Sequence, residues 1–580
     1  MNHVVSVKDS HGIRWQVSAT FAPLFLADRT PDPRRILRAG GGQLIKKSPA
    51  RIIFGAALPD GPRQLPVVIK IYRHANLGEW LKANLCGSKA RREWHITTAA
   101  SERGLPTVVP VAFGERRRAG ILRESYLLTV RLFNCVTLEE ALFSPDGTLR
   151  AGAKERRKLI VLLASLLRRM HDCGIYHRDL HPGNFLVEAL PGGEKRIFLL
   201  DLHRASVNPS LPLRHRIRSL SQFNMFASIS LSTPERLLFF NSYFAEDTLW
   251  AREKRQRLAE INLLTREMRW RLWKRREQRC LANNKYFMRL SFAGFSGFAR
   301  RGEWKGEMAE FLLARDLPGG GARLLKDSRS KNLWEREVAF HGVKRALFIK
   351  HYKPKRGWKA FKYLWRRSQA LRSWQGSYAI EIRNIKAVRA VAALEERSPL
   401  NLLRHAYLIT EKIPGVVNMA DAIAGFRPDA DGRRTEVAGF MRALALFLRR
   451  VHRVGIYHGD MKATNILVGR NRDGSPSFCL TDLDFLRTRL DLSRRQVLRN
   501  LLQINKSFLD LGLVSVRDRA RFLKFYLGPR RREELRGIWK TLLRRTRRYL
   551  KKAGRKFHHG DKINVATEGT KNAYNDSAAD

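Results

Sequence analysis

At 580 residues the chain has room for three or four average domains, or two large ones. Hydrophobic residues make up 44% and charged residues 28%, a globular balance that excludes disorder as the overall state. The 111 Lys and Arg against 53 Asp and Glu leave a net charge of +58, which calls for anionic company: nucleic acid, acidic lipid or a phosphorylated substrate. Five cysteines lie far apart with no C-x-x-C pair, as in a reduced chain without a zinc module. The N-terminus lacks a basic-then-apolar leader pattern. The longest apolar runs reach only about half a membrane span, so a soluble or peripheral protein is expected.

In chain order, residues 1–34 read as an N-terminal segment. A first unit over 35–245 opens with the β-type runs QLIKK, RIIFGAA and PVVIKIY. It continues through a helix-like SKARREW stretch and a strand at Tyr126. The spacing of Leu159, Leu162, Leu163, Leu166, Leu167 and Met170 predicts an amphipathic helix over 158–170. Residues 246–317 read as a basic helical linker, with 13 basic and 4 acidic residues between Arg252 and Arg289. A second unit over 318–553 starts with RLLKD, LWEREVAFH and ALFIKHY, and the polar residues 554–580 read as a disordered tail.

The two units are copies. GIYHRDLHPGNFLV at Gly174 recurs as GIYHGDMKATNILV at Gly455, an offset of 281 that also relates YLLT at Tyr126 to YLIT at Tyr407. Upstream the offset is 280, pairing Lys70 of VVIKIY with Lys350 of LFIKHY. A register held over so long a stretch marks a duplication. Each copy predicts a small β lobe followed by a larger α lobe.

The chemistry sits in His177-Arg178-Asp179-Leu180-His181-Pro182-Gly183-Asn184, followed by Asp201 at the end of the apolar run IFLLD. In such a pattern the first Asp takes a hydroxyl proton, while the Asn and the strand-end Asp hold the magnesium that bridges nucleotide phosphates. Phosphoryl transfer needs positioning and charge neutralisation, and hard oxygen ligands suit Mg²⁺. The second copy repeats the set as Asp460, Asn465 and Asp482. A turn or cap role is the usual fate of a lone Asp or Asn. Two copies, each with its strand-end Asp 22 residues after the first, favour the chemical role.

Lys70 and Lys350 lie between apolar strand positions, where a lysine needs an anion such as the α- and β-phosphates of ATP. Glu93, on the predicted SKARREW helix, is placed to pair with Lys70. Its register match in the second copy is Ser373, and Glu381 serves instead only if that helix is rotated, so the second copy reads as the weaker catalyst. No G-x-G-x-x-G loop is present. Ser48 and Ser328, at the first predicted hairpins, are candidates to cover phosphates together with backbone amides.

These residues resemble the protein-kinase-like superfamily, and within it the lipopolysaccharide core kinases of the Kdo/WaaP family. Asp201-Leu202-His203-Arg204-Ala205 is similar to that family's Asp-Leu-His-Arg-Ala signature, and no Ala-Pro-Glu stretch follows Asp201 or Asp482. The resemblance implies an α+β fold of two tandem protein-kinase-like bilobal domains. It also implies ATP- and Mg²⁺-dependent phosphorylation of heptose or 3-deoxy-octulosonate in the lipopolysaccharide inner core. The acceptor would then be lipid A-core, met on the cytoplasmic face of the inner membrane. Most such kinases carry one unit; this chain carries two.

Two basic stretches fit an anionic membrane surface: eight basic residues and no acidic ones between Lys353 and Trp374, and 13 against 2 between Arg530 and Lys556. No nucleic-acid motif accompanies them, so no specific nucleic acid is expected. Other readings of the same motifs are a small-molecule or protein Ser/Thr phosphotransferase, and a pseudokinase pair that binds without turnover.

Overall fold

The computed structural model describes residues 4–552, apart from 11, 26–29, 61, 75, 145–149, 293, 304–309, 312–316, 341–342, 355–363, 427–431, 512–513 and 529–531. The expected tail at 554–580 and Trp358, Phe361 and Tyr363 of the basic stretch lie outside the described residues. The chain divides into two compact units, Met1–Arg269 and Trp270–Asp580.

The first unit opens with a seven-stranded antiparallel sheet. Its spatial order is Val4–Lys8, Ile13–Ser18, Pro110–Arg118, Ile121–Val130, Arg63–Tyr72, Arg51–Asp60 and Gln43–Ser48. Strand side chains alternate between faces. Ile69 and Ile71 therefore enter a core with Trp15, Phe54 and Tyr126, and Lys70 and Tyr72 share the opposite face. Helix Lys89–Glu102 covers that face, with its Ala90 and Trp94 packed against Tyr72, Phe113 and Leu127. The helix starts at Ser88, whose hydroxyl oxygen accepts from the Arg91 amide at 3.0 Å.

A larger helical lobe follows, built around helix Ala153–Asp172. Leu159, Leu163, Leu166, Leu167 and Met170 are buried as expected, beside Phe185, Phe223 and Phe239. Leu162 is 38% exposed, because the buried arc turns toward Ile160 and Ala164.

The second unit repeats the sheet order with Phe287–Phe292, Phe295–Arg300, Ala390–Arg397, Leu403–Glu411, Val343–Tyr352, Lys331–Phe340 and Arg323–Asp327. Its helical lobe packs around Phe440, Leu444, Leu448, Ile504 and Phe508. Each unit is thus a β lobe followed by an α lobe, as the repeated sequence pattern predicts. Among the described residues no helix is long and apolar enough to cross a membrane.

Two sequence boundaries need correction. Residues 1–34 are not a separate segment, since their strands extend the first sheet through the pairing of Ile13–Ser18 with Pro110–Arg118. Trp15 is fully buried, 5.4 Å from the Phe25 ring and 5.9 Å from the Tyr126 ring. Trp15→Ala is expected to destabilise the first unit by about 3–5 kcal/mol, read as a lower urea midpoint.

Nor is 246–317 a linker. Helix Trp250–Glu277 buries Ile261 in the first unit's α-lobe core, and Asn224 Nδ2 donates to Thr265 Oγ1 at 3.0 Å. The same bond recurs in the second unit, where Asn505 Nδ2 donates to Thr546 Oγ1 of helix Arg532–Lys552 at 3.0 Å. Through Arg269 the former helix is therefore the closing helix of the first unit, while Phe287–Arg300 forms the opening strands of the second. The basic outer face of the helix hid its narrow buried stripe.

A buried histidine locks each α lobe. His171 faces Tyr243 Oη at 2.6 Å and Ser219 Oγ at 2.9 Å. His452 faces Tyr526 Oη at 2.7 Å and Asn500 Oδ1 at 3.2 Å. Burial lowers the first to about 3 and the second to about 4. An unfolded histidine titrates near 6.5, so on acidification from there the unfolded chain takes up more protons than the folded one. Stability present above that pH should fall by up to about 1.4 kcal/mol per pH unit and per histidine toward pH 4. Equal urea midpoints at pH 7 and pH 5 would contradict this.

Candidate active site

Backbone geometry sets the loops. Gly174 and Gly455 have φ of 70° and 76°. A Cβ on either would lie 1.9 Å from the Asn208 carbonyl oxygen or 1.8 Å from that of Arg489. This close approach lets Ile175–His177 pair with Ala205–Val207, bringing the Asp179 loop against the Asp201 loop. Asn184 and Asp201 flank a hairpin in which Phe185 pairs with Leu199, and the Leu200 amide donates to the Asn184 carbonyl at 2.8 Å. Asp201 and Asp482 both adopt left-handed backbone, φ 59° and 52°, a conformation that Asp tolerates and that turns each carboxylate out of its strand line.

In the first unit these elements bring Lys70, Glu93 and Asp201 together. Lys70 Nζ lies 2.5 Å from Glu93 Oε1 and 3.8 Å from Asp201 Oδ1, and the Tyr72 hydroxyl donates to Glu93 Oε2. Arg51 Nη1 donates to both Asp201 oxygens, at 3.0 and 3.1 Å, and His203 Nδ1 lies 2.7 Å from Oδ1. Burial works to raise the Asp201 pKa, but the hydrogen bond from His203 and the charges of Lys70 and Arg51 hold it well below the ordinary carboxylate value.

Asp179 stands at the open side, its side chain 40% exposed and 3.0 Å from Arg204 Nη1. Its amide donates to His177 Nδ1 at 3.1 Å, and His177 Nε2 donates to the Asp201 carbonyl at 3.3 Å. Burial lowers His177 to about 4, so it is neutral with its proton on Nε2, a brace between the two loops. Asn184 Nδ2 donates to the Asp179 carbonyl at 2.8 Å, which leaves the carboxamide oxygen as its acceptor for a cation.

The second unit assembles Lys350, Asp482, Asp460 and Asn465 in the same way. Lys350 Nζ is 2.8 Å from Asp482 Oδ1, and Lys331 Nζ is 3.2 Å from Oδ2. Burial works to raise the Asp482 pKa, but these two ammonium groups hold it well below its ordinary value. Asn465 Nδ2 donates to the Asp460 carbonyl at 2.8 Å, and Lys462 Nζ lies 2.9 Å from Asp460 Oδ2. Glu381 does not reach Lys350; it pairs with Arg300 Nη2 at 2.5 Å.

Ser48 and Ser328 spend their hydroxyls on their own hairpins, donating to the Arg51 carbonyl at 3.0 Å and the Lys331 carbonyl at 2.7 Å. The residue that reaches the site is the basic one three positions on, Arg51 or Lys331. Sequence reasoning missed both, along with Tyr72, His203 and Asp484. The signal was present: a basic residue stands at the same register in both copies, and the strand motif ends in Tyr both times.

The donor set fits the expected cofactors. Asp201 and Asn184 offer hard oxygens, as magnesium prefers. Glu93, Asp201 and His203 place ligand atoms within 4.8 Å of one another. The cations Arg51 and Lys70 line the same corner, where an anionic phosphate chain would meet them.

Comparison with known proteins agrees with this geometry. Residues 67–243 and 327–526 match the profile described as the lipopolysaccharide kinase (Kdo/WaaP) family. Proteins named lipopolysaccharide core heptose(I) kinase WaaP are similar to part of the chain. That of Pseudomonas aeruginosa is 32% identical over 186 residues, 30% of this chain and 68% of its own length. That of Escherichia coli strain K12 is 32% identical over 165 residues, 27% of this chain and 60% of its own. A solved structure described as WaaP in complex with acyl carrier protein aligns with 44% of this chain and 98% of its own. It does so at 23% identity and a TM-score of 0.32, too slight a likeness to build on. With the family profile matched twice, and over more than half its residues, the chain belongs to the lipopolysaccharide kinase (Kdo/WaaP) family and is an ATP-dependent kinase.

Proposed function

We propose that the first unit phosphorylates a sugar hydroxyl, on heptose or 3-deoxy-octulosonate, in the inner core of lipopolysaccharide. The observation that carries this reading is the convergence of Lys70, Glu93 and Asp201 beside an exposed Asp179. Bound Mg²⁺-ATP supplies the phosphoryl group and its countercharge. Lys70, held by Glu93, binds phosphate oxygens, and Asp201 with Asn184 holds the metal ion. The Asp179 carboxylate orients the acceptor hydroxyl and takes its proton. His177 keeps the Asp179 loop in place.

The acceptor is lipid A-core, reached from the cytoplasm at the inner face of the inner membrane. Arg536, Lys540, Arg544, Arg545 and Arg548 are exposed on helix Arg532–Lys552, a basic face suited to an anionic surface. Vesicles containing phosphatidylglycerol should bind the protein at low salt and release it at high salt. Mass spectrometry of the core from cells with and without the gene tests the function. One phosphoryl group fewer without the gene is expected, and identical cores would overturn the proposal.

A further inference from the structure

The second unit lacks a glutamate at the Glu93 position, yet its lysine is not without a carboxylate. Asp484 lies two residues after Asp482, at the register of His203. Its side chain is 4% exposed, and Lys350 Nζ stands 3.5 Å from Oδ1. The Tyr352 hydroxyl donates to Oδ1 at 2.5 Å, and the hydroxyl of Ser373, the residue standing in for Glu93, donates to the same atom at 2.8 Å. Tyr72 does for Glu93 what Tyr352 does for Asp484.

The exchange is reciprocal. In the first unit helix Lys89–Glu102 carries the carboxylate and the loop carries His203. In the second the loop carries the carboxylate, and helix Gln369–Glu381 answers with a hydroxyl. Both sites hold two fixed cations and two carboxylates: Arg51 and Lys70 with Glu93 and Asp201, Lys331 and Lys350 with Asp482 and Asp484. A buried carboxylate without a cation is costly, so losing only one half of the exchange would not be neutral. Together the changes keep the charge and move its carrier.

We infer that Asp484 is the positioning residue for Lys350, and that the second unit is a second Mg²⁺-nucleotide site whose lysine is anchored from the metal-side loop instead of the helix. Resting on the kinase reading of the first unit, the inference adds that helix Gln369–Glu381 does not carry the charge that sets this lysine.

The test is a titration of the full-length protein with a fluorescent ATP analogue and Mg²⁺. Wild type should take up two nucleotides, and Lys70→Met should leave one. In that background Asp484→Asn should weaken the remaining site by about tenfold or more. The exchange Ser373→Glu with Asp484→His should return it to within about threefold, a rescue that a merely structural Asp484 would not allow. Should thermal melting show that this exchange does not fold, Ser373→Asp with Asp484→Asn moves the carboxylate to the helix with almost no change in volume. An affinity unchanged by Asp484→Asn, or a folded exchange without rescue, overturns the inference. A wild type that binds one nucleotide and loses it with Lys70→Met also overturns it but leaves the kinase reading of the first unit intact. No binding at either site would sink both.

Discussion

Asp179→Asn is expected to lower phosphoryl transfer by the first unit by about 10²–10⁴-fold while leaving nucleotide affinity within about twofold. The substitution keeps the size of the side chain and removes the carboxylate that takes the hydroxyl proton. Its backbone links are untouched, since Asn184 and His177 bond the main chain of residue 179. The side chain is 40% exposed and its partner, Arg204, is 60% exposed, so stability should change by no more than about 0.5 kcal/mol. A pre-steady-state assay in a Lys350→Met background isolates the first unit. A variant that transfers phosphate at the wild-type rate would remove Asp179 from the chemistry.

Glu93→Ala should act on stability and on nucleotide binding together. Glu93 is 1% exposed and receives both Lys70 and Tyr72. Truncation leaves a largely buried ammonium, its side chain 12% exposed, and a buried hydroxyl without their acceptor, a loss of about 3–5 kcal/mol. Asp201 at 3.8 Å offers Lys70 a second anion, which places the expectation near the lower end of that range. The freed lysine would turn to Asp201, away from phosphate, so the KM for ATP should rise about tenfold or more. Urea unfolding and initial rates read the two effects separately. Unchanged stability would show that Lys70 does not depend on Glu93.

Much of the site was legible because its residues sit in short contiguous strings repeated at an offset of 281, or 280 for the strand that carries Lys70. Lys70, Asp179, Asn184 and Asp201 each lie at a loop or strand position that the apolar pattern marks; the structure brings Lys70 to Asp201 and ties the Asp179 and Asn184 loops to the end of the Asp201 strand. What escaped depends on long-range contacts. Arg51 reaches Asp201 across 150 residues, which no local pattern displays. Asp484 escaped because the position of Glu93 holds Ser373 in the second copy, while the replacing charge comes from another segment, 111 residues from Ser373.

The boundaries failed for a related reason. Val4–Lys8 and Ile13–Ser18 have counterparts at Phe287–Phe292 and Phe295–Arg300, but the sequences share only an alternation, and alternation is weak evidence in a short strand. Helix Trp250–Glu277 and helix Arg532–Lys552 are equivalent through Thr265 and Thr546, two threonines among many arginines. Charge, the loudest feature of both segments, describes their solvent faces and not the stripe that packs.

The most direct measurement is transfer of labelled γ-phosphate from ATP to deacylated core oligosaccharide, comparing the wild-type chain with the Asp179→Asn/Asp460→Asn double variant. Labelled oligosaccharide from the wild type alone is expected. Equal labelling by the double variant, folded and binding nucleotide, would contradict the assignment of these two carboxylates to the acceptor hydroxyl.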